Sequence, residues 1–383
     1  MTQLARPDDP IPLVDLAAAH GPVADEIATG FAKVLATTSF VGGAQVDAFE
    51  REFAAFSGRR HCVGVANGTD AIELALRALG VGTRADDEVI LPANSFVATA
   101  EAVARAGARP VLVDADEAYH LLDPEAVAAA ITSRTRAVVP VHLYGQLAPV
   151  EAISEAVAGR DIVIVEDAAQ AQGATRHGAG IGSAGPAATS FYPGKNLGAY
   201  GDAGAVLTDD ETIATTVRAL GSHGSLTKYT HTHLGFNSRM DTLQAVVLSA
   251  KLARLAGANE ARRAAADRYD AYLGEAADAL GVEVVRPRVA PGNVHVWHLY
   301  VIRVAGRDRL LERLRAEGIG AGIHYPYPIH HCPPFADRAP SPCPVTEKLA
   351  TEILSLPLYP EISDAQQQRV VETLMKALIE NGG

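Results

Sequence analysis

The chain has 383 residues, 48% of them hydrophobic and 20% charged, with a formal net charge of −12 at pH 7. That is room for two or three average domains, or for one large α/β domain with a smaller companion, and for a core that needs neither metals nor disulfides. The acidic balance argues against a general nucleic-acid binder, and no run approaches the roughly 20 apolar residues that a membrane helix needs.

The N-terminal stretch MTQLARPDDPIPLVDL has no apolar signal core, so a cytoplasmic protein is expected. Cys62, Cys332 and Cys343 are odd in number and lack zinc-like spacing, which fits free thiols in a reducing compartment. From residue 61 onward, short β-branched runs predict strands at 61–66, 88–91, 110–114, 137–142, 162–166, 189–192 and 203–208. Ala/Leu-rich stretches between them predict helices at 70–79, 99–106, 124–131 and 150–158. Such alternation implies βαβ crossovers and a mostly parallel sheet of seven strands covered by helices on both faces. Ligands of such sheets gather at the carboxyl ends of the strands. A long helix is expected over about 243–273, then a strand at 294–304, helices at 307–317 and 361–380, and a His-, Tyr-, Pro- and Cys-rich loop over 323–344. The domain boundary is placed at 254/255: a large domain over 1–254 and a small α+β domain over 255–383, with the N-terminal segment free to pack on the latter.

Lysine is scarce, six residues against twenty-seven arginines. Lys33, Lys251, Lys348 and Lys376 fall on helical stretches, where a solvated role is the default, and Lys228 falls in a polar loop. Lys195 alone stands in a tight Pro-Gly-Lys-Asn turn after a strand, which sets an amine on the ligand-binding rim. The hydrophobic run 162–165 ends in Glu166 and Asp167 and delivers a carboxylate to the same rim; Asp167 reads either as a helix cap or as the ion-pair partner of a protonated ring nitrogen. Asn67-Gly68-Thr69-Asp70 turns a strand straight into a helix, leaving N–H groups and the positive helix end outward, a suitable seat for a phosphate dianion or simply a structural turn.

Two patterns are set aside. Gly180, Gly182 and Gly185 match the spacing of a dinucleotide fingerprint, but no apolar strand precedes them and Pro186 stands where a helix would open. His231-Thr-His233 lacks a third ligand at a sensible spacing, and no metal is expected.

Taken together these motifs resemble the DegT/DnrJ/EryC1/StrS family of sugar aminotransferases, of the aspartate-aminotransferase fold (fold type I). The resemblance runs from Ile11-Pro-Leu-Val-Asp15 and Phe40-Val-Gly-Gly43 through Asn67-Gly-Thr-Asp-Ala71, Pro140-Val-His-Leu-Tyr-Gly-Gln146, Glu166-Asp-Ala-Ala-Gln170 and Ser190-Phe-Tyr-Pro-Gly-Lys-Asn196. It continues through Gly201-Asp-Ala-Gly-Ala205, Gly235-Phe-Asn-Ser-Arg239 and His324-Tyr325-Pro326. It implies pyridoxal 5'-phosphate (PLP) held by Lys195 as a Schiff base, with Lys195 also shuttling the proton between carbon centres. It further implies Asp167 on the pyridine nitrogen, Gln170 on the ring hydroxyl, Gly68, Thr69 and Ser190 on the phosphate, and Phe96 stacked on the ring. Asn237 would reach the phosphate of a neighbouring subunit, hence a homodimer with shared active sites. L-glutamate would be the amino donor, and the acceptor a keto-6-deoxyhexose on a nucleotide diphosphate, commonly dTDP. Tyr192 resembles the branch that aminates C3, since the C4 branch more often carries histidine there; Tyr192, Tyr229, His324 and Tyr325 match hexose-facing positions. Rival readings are a C4 enzyme, a cyclitol aminotransferase that uses glutamine, and a PLP-binding regulatory protein; a deoxygenating dehydratase, which replaces the lysine by histidine, conflicts with Lys195.

Overall fold

The computed structural model describes residues 9–381. Seven strand paths cross the larger part of the molecule. Arg109–Val113, Glu88–Pro92, Thr135–Val138 and Val163–Ile164 lie side by side in that order, all parallel. Glu166–Asp167, Ala187–Ser190, Gly204–Thr208 and His61–Val65 follow, with Gly204–Thr208 antiparallel to both its neighbours. Val165 interrupts one path between the two groups, and a parallel bridge from Val141 to Asp167 carries the sheet across the break. The mostly parallel sheet expected from the sequence is therefore present, with one reversed strand.

The strand residues are buried almost throughout, as the near-continuous apolar runs require of strands covered on both faces. Leu74, Leu91, Leu112 and Val206 share one core with Val103, while Phe49, Phe53, Phe191 and Leu248 share a second. Side-chain caps open several helices: Asn67, Asp123 and Asp210 each accept from a backbone N–H of the first turn.

The expected helix over 243–273 is longer, a 39-residue span from Thr242 to Leu280 that ends on left-handed Gly281. It carries two apolar faces in succession. Ala245, Leu248, Leu252 and Leu255 join the core of the sheet, and Ala265, Ala266, Tyr269 and Leu273 join a core built from the C-terminal residues. The proposed boundary at 254/255 falls inside one continuous helix, just before Leu255, which still joins the core of the sheet. Ile11 belongs to the C-terminal core and pairs with Ile319. The strand expected over 294–304 is broken: Asn293–Val294 and Tyr300–Arg303 are separated by an irregular segment in which Trp297 has φ +47°. No helix among the described residues is long and apolar enough to cross a membrane.

The glycines of the rejected dinucleotide pattern serve close packing. A Cβ on Gly185 would lie 2.0 Å from the Ile164 carbonyl oxygen. Gly185→Ala should therefore lower stability by about 2 kcal/mol or more through forced displacement of the strand. Gly257→Ala, in an exposed helical turn with nothing within 4 Å of the added atom, should raise it by about 1 kcal/mol. Thermal unfolding of both variants checks the opposite signs.

Candidate active site

The carboxyl ends of the central strands place an amine and a carboxylate together. Asp167 ends the strand Glu166–Asp167 and is buried. Its Oδ2 accepts from the Thr99 hydroxyl at 2.8 Å and its Oδ1 from the Ala169 amide at 3.1 Å. Ser95 lies 2.8 Å from Thr99, and because the single Thr99 proton goes to Asp167, Ser95 is the donor of that second bond. Burial raises the pKa of Asp167, while these hydrogen bonds and the charge of Lys195 pull it back.

Lys195 stands five residues beyond the strand Ala187–Ser190, which stops earlier than the expected 189–192; a turn closed by the Lys195 amide on the Tyr192 carbonyl brings the side chain back. Its Nζ has no hydrogen-bond partner among the described residues. Burial pushes its pKa down to about 8, against the opposing pull of Asp167. An amine so placed is largely neutral just above pH 8 and available as nucleophile and base.

The helix Gly68–Ala78 begins beside this pair. The Asn67 side chain takes the Asp70 amide at 2.8 Å and the Asn67 carbonyl takes the Ala71 amide at 3.1 Å, so the amides of Gly68 and Thr69 are left without an acceptor among the described residues. A Cβ on Gly68 would sit 2.6 Å from Ser190 Cβ. Glycine is thus what lets the helix end and Ser190 meet and form a seat for an anion.

Gln170 is buried between two partners, accepting from the Tyr144 amide at 2.6 Å and donating to the Tyr325 hydroxyl at 3.1 Å. The Tyr325 and Phe96 rings lie 5.1 Å apart and wall one side. His324 is held near pKa 4 by burial and by the charge of Lys195, so its imidazole is neutral at physiological pH. Tyr192 is 59% exposed close by in sequence, and Tyr229 is 83% exposed on the loop before the long helix. Asn237 is exposed and accepts from Arg239 at 3.2 Å. The fold therefore brings Lys195, Asp167, Gln170, His324 and Tyr325 together, whereas among the described residues no hydrogen bond, ion pair or ring contact joins Tyr229 or Asn237 to them.

Several residues escaped the sequence reading. Thr99, already noted, lies one turn past Asn94-Ser-Phe96 and looks like an ordinary helix residue. Gln172 donates to Thr189 Oγ1 and to the Ser190 carbonyl, each at 2.9 Å, fixing the strand end that carries Ser190. His142 accepts the Ala148 amide on Nδ1, so its proton sits on Nε2 and is donated to Glu166 at 2.8 Å; Glu166 also takes the amides of Gly182 and Ala184. His298 neighbours Lys195. Asn196 spends its amide protons on the Val296 carbonyl and on Asn259, so its oxygen faces His298 Nδ1, which must carry the proton. His298 is then a neutral ring with its Nε2 lone pair unspent, and burial holds its pKa well below the usual imidazole value. A histidine in Val-His-Val-Trp-His reads as core, and only the turn at Trp297 reveals otherwise. Lys251, expected to be solvated, instead donates to the Gly198 carbonyl at 2.8 Å and is pushed to about 8 by burial.

Capture of PLP by apoprotein, trapped with borohydride and read on the Lys195 peptide, should rise with pH around a midpoint near 8; a midpoint near 10 would contradict the desolvated amine. Gly68→Ala should weaken cofactor retention on the order of ten-fold or more, because overpacking by one methyl costs roughly 1–3 kcal/mol. Equilibrium dialysis measures it.

Residues 23–375 match the model of the DegT/DnrJ/EryC1/StrS aminotransferase family. The UDP-N-acetyl-3-dehydro-alpha-D-glucosamine 3-aminotransferase of Acidithiobacillus ferrooxidans is 44% identical over 96% of this chain and 98% of its own. The dTDP-3-amino-3,4,6-trideoxy-alpha-D-glucose transaminase of Streptomyces venezuelae is 43% identical over 95% of each. The crystal structure of S. venezuelae DesV in complex with a ketimine intermediate superposes with a TM-score of 0.91 at 42% identity, covering 96% of this chain and 98% of that one. Aminotransferases of this family use PLP. The chain belongs to the DegT/DnrJ/EryC1/StrS aminotransferase family.

Proposed function

We propose that this enzyme transfers an amino group from L-glutamate to C3 of a nucleotide-linked keto-6-deoxyhexose, probing the substrate with a site shared by two copies of the chain in the cytoplasm. The observation that carries the chemistry is the Lys195 amine, brought down to about 8 by burial beside Asp167 and next to the open amides of Gly68 and Thr69. PLP fits this set: an amine for its aldehyde carbon, a buried carboxylate for its ring nitrogen, and a glycine-lined helix end for its phosphate, with Ser190 beside it. When bound, the cofactor supplies an electron sink for the carbanion left when a proton is removed.

The residues of the chain do the rest. Lys195, once its amine is free, takes and returns the proton, and its depressed pKa keeps it competent near neutrality. Asp167 is held in place by Thr99 and the Ala169 amide, so a positive charge opposite it is stabilised in a site of low dielectric. Gln170, fixed by Tyr144 and Tyr325, is suited to meet the ring hydroxyl. Phe96 and Tyr325, their rings 5.1 Å apart, offer aromatic surface on one side, with Phe96 half exposed and free to meet a ring laid against it. His324 and Tyr325 offer neutral hydrogen-bonding groups, appropriate to sugar hydroxyls rather than to a further charge.

Attack at C3 draws support from the names of the two relatives, one a 3-aminotransferase of a 3-dehydro sugar and the other a transaminase named for a 3-amino sugar, and from Tyr192 before the lysine turn. One of those names carries UDP and the other dTDP; the dTDP carrier is preferred for its 6-deoxy sugar setting. Tyr229 and Asn237 are exposed, and among the described residues no hydrogen bond or ring contact ties them to Lys195, a placement compatible with their serving a neighbouring copy's site. A panel of 3-keto and 4-keto nucleotide sugars with glutamate tests the reading. Amination at C3 is expected, and turnover only at C4, or only of a keto-inositol with glutamine, would overturn it.

A further inference from the structure

Away from the Lys195 site, the segment 323–344 carries a second convergence of chemically active side chains. Ile329–His331 forms one short helical turn, anchored by the Ile329 amide on the Ala93 carbonyl at 2.9 Å and by the buried Ile329 side chain. His330 and His331 leave this turn side by side, their ring centroids 4.5 Å apart and nearly perpendicular. Both rings turn Nε2 toward one oxygen of Glu347, in the first turn of the helix Pro344–Glu352: His330 at 3.2 Å and His331 at 3.9 Å. One ligand atom from each residue lies within 4.8 Å of the other two.

A hydrogen bond accounts for His330 and Glu347 but not for His331, whose nitrogen is beyond hydrogen-bond reach. Nor is Glu347 claimed by a stronger cation. The adjacent Lys348 turns to Glu117 at 2.8 Å, and the two imidazoles are the only ion-pair partners of Glu347 among the described residues. His330 Nδ1 is buried without a hydrogen-bond partner, so Nε2 is the nitrogen through which this ring acts. Bond lengths of about 2.0–2.2 Å around a tetrahedral zinc ion put ligand atoms about 3.3–3.6 Å apart. The two separations to Glu347 straddle that range, and small side-chain rotations close the difference.

We propose that His330, His331 and Glu347 form a binding site for a divalent transition-metal ion of the zinc class. Two imidazole nitrogens and a carboxylate oxygen suit such an ion better than calcium or magnesium, which take oxygen ligands. Water completes the coordination. The ion joins the turn Ile329–His331 to the helix Pro344–Glu352 and so closes the Pro- and Cys-rich stretch between them. Because His324 and Tyr325 lie just upstream on the same segment, occupancy stiffens one wall of the substrate pocket without entering it. Binding requires unprotonated imidazoles and weakens at acid pH.

The test uses PLP-loaded protein and zinc titrated against a chromophoric chelator, with cobalt as the spectroscopic probe. One ion per chain is expected, with a cobalt ligand-field band of a four-coordinate site and a rise in thermal midpoint that chelator reverses. His331→Leu and Glu347→Gln, both at exposed or half-exposed positions, should each weaken zinc binding at least ten-fold and abolish the thermal shift, leaving the visible cofactor spectrum unchanged. The proposal fails if either variant binds zinc as tightly as the parent. It also fails if binding survives there and is lost in a His231→Ala, His233→Ala variant, which would locate the ion on the other loop.

Discussion

A carboxylate buried opposite a desolvated amine sets the terms for the rest of this molecule. Neither Asp167 nor Lys195 would be charged at low cost in that position alone. Each reduces the other's penalty, and the aspartate is further held by Thr99, itself fed by Ser95, and by the Ala169 amide. The elements that supply these groups differ: a strand end, a turn, and the first coil of a helix. Their alignment depends on the sheet being continuous across the break at Val165, which the Val141 bridge to Asp167 secures.

Around this pair the structure uses neutral polar groups rather than further charges. Asn196, Asn259 and Gln172 form a chain of amide hydrogen bonds that begins at His298 and ends on the strand carrying Ser190. Because Asn259 sits on the long helix and Val296 on the segment returning from it, the same chain ties the lysine turn to the region where the helix changes its packing partner.

The strands of the sheet were legible because burial on both faces demands unbroken apolar runs, and Lys195, Asp167 and Gly68 were legible because they stand at or shortly beyond strand ends. Ends were harder than middles. The strand before Lys195 stops at Ser190, and the run 162–166 is broken at Val165, since pairing partners rather than composition decide where a ladder ends. Thr99, His298 and Gln172 were not legible, because a residue type that is bland in sequence becomes specific only when the fold chooses its partner. Lys251 shows the same limit from the other side: its helical position suggested solvent, but the Gly198 carbonyl and the Tyr200 ring, 4.6 Å away, hold it in place. Tyr229 and Asn237 were read from resemblance, and among the described residues no hydrogen bond or ring contact ties them to the amine.

The depressed amine of Lys251 also supplies the sharpest rival to Lys195, since burial brings both to about 8. Apoprotein loaded with PLP, reduced with borohydride and mapped by peptide mass separates them. The account predicts one label per chain, on the peptide that contains Lys195, and no covalent label in Lys195→Arg protein. A reducible adduct that persists in that variant, or that maps to Lys251 in the parent, would contradict it.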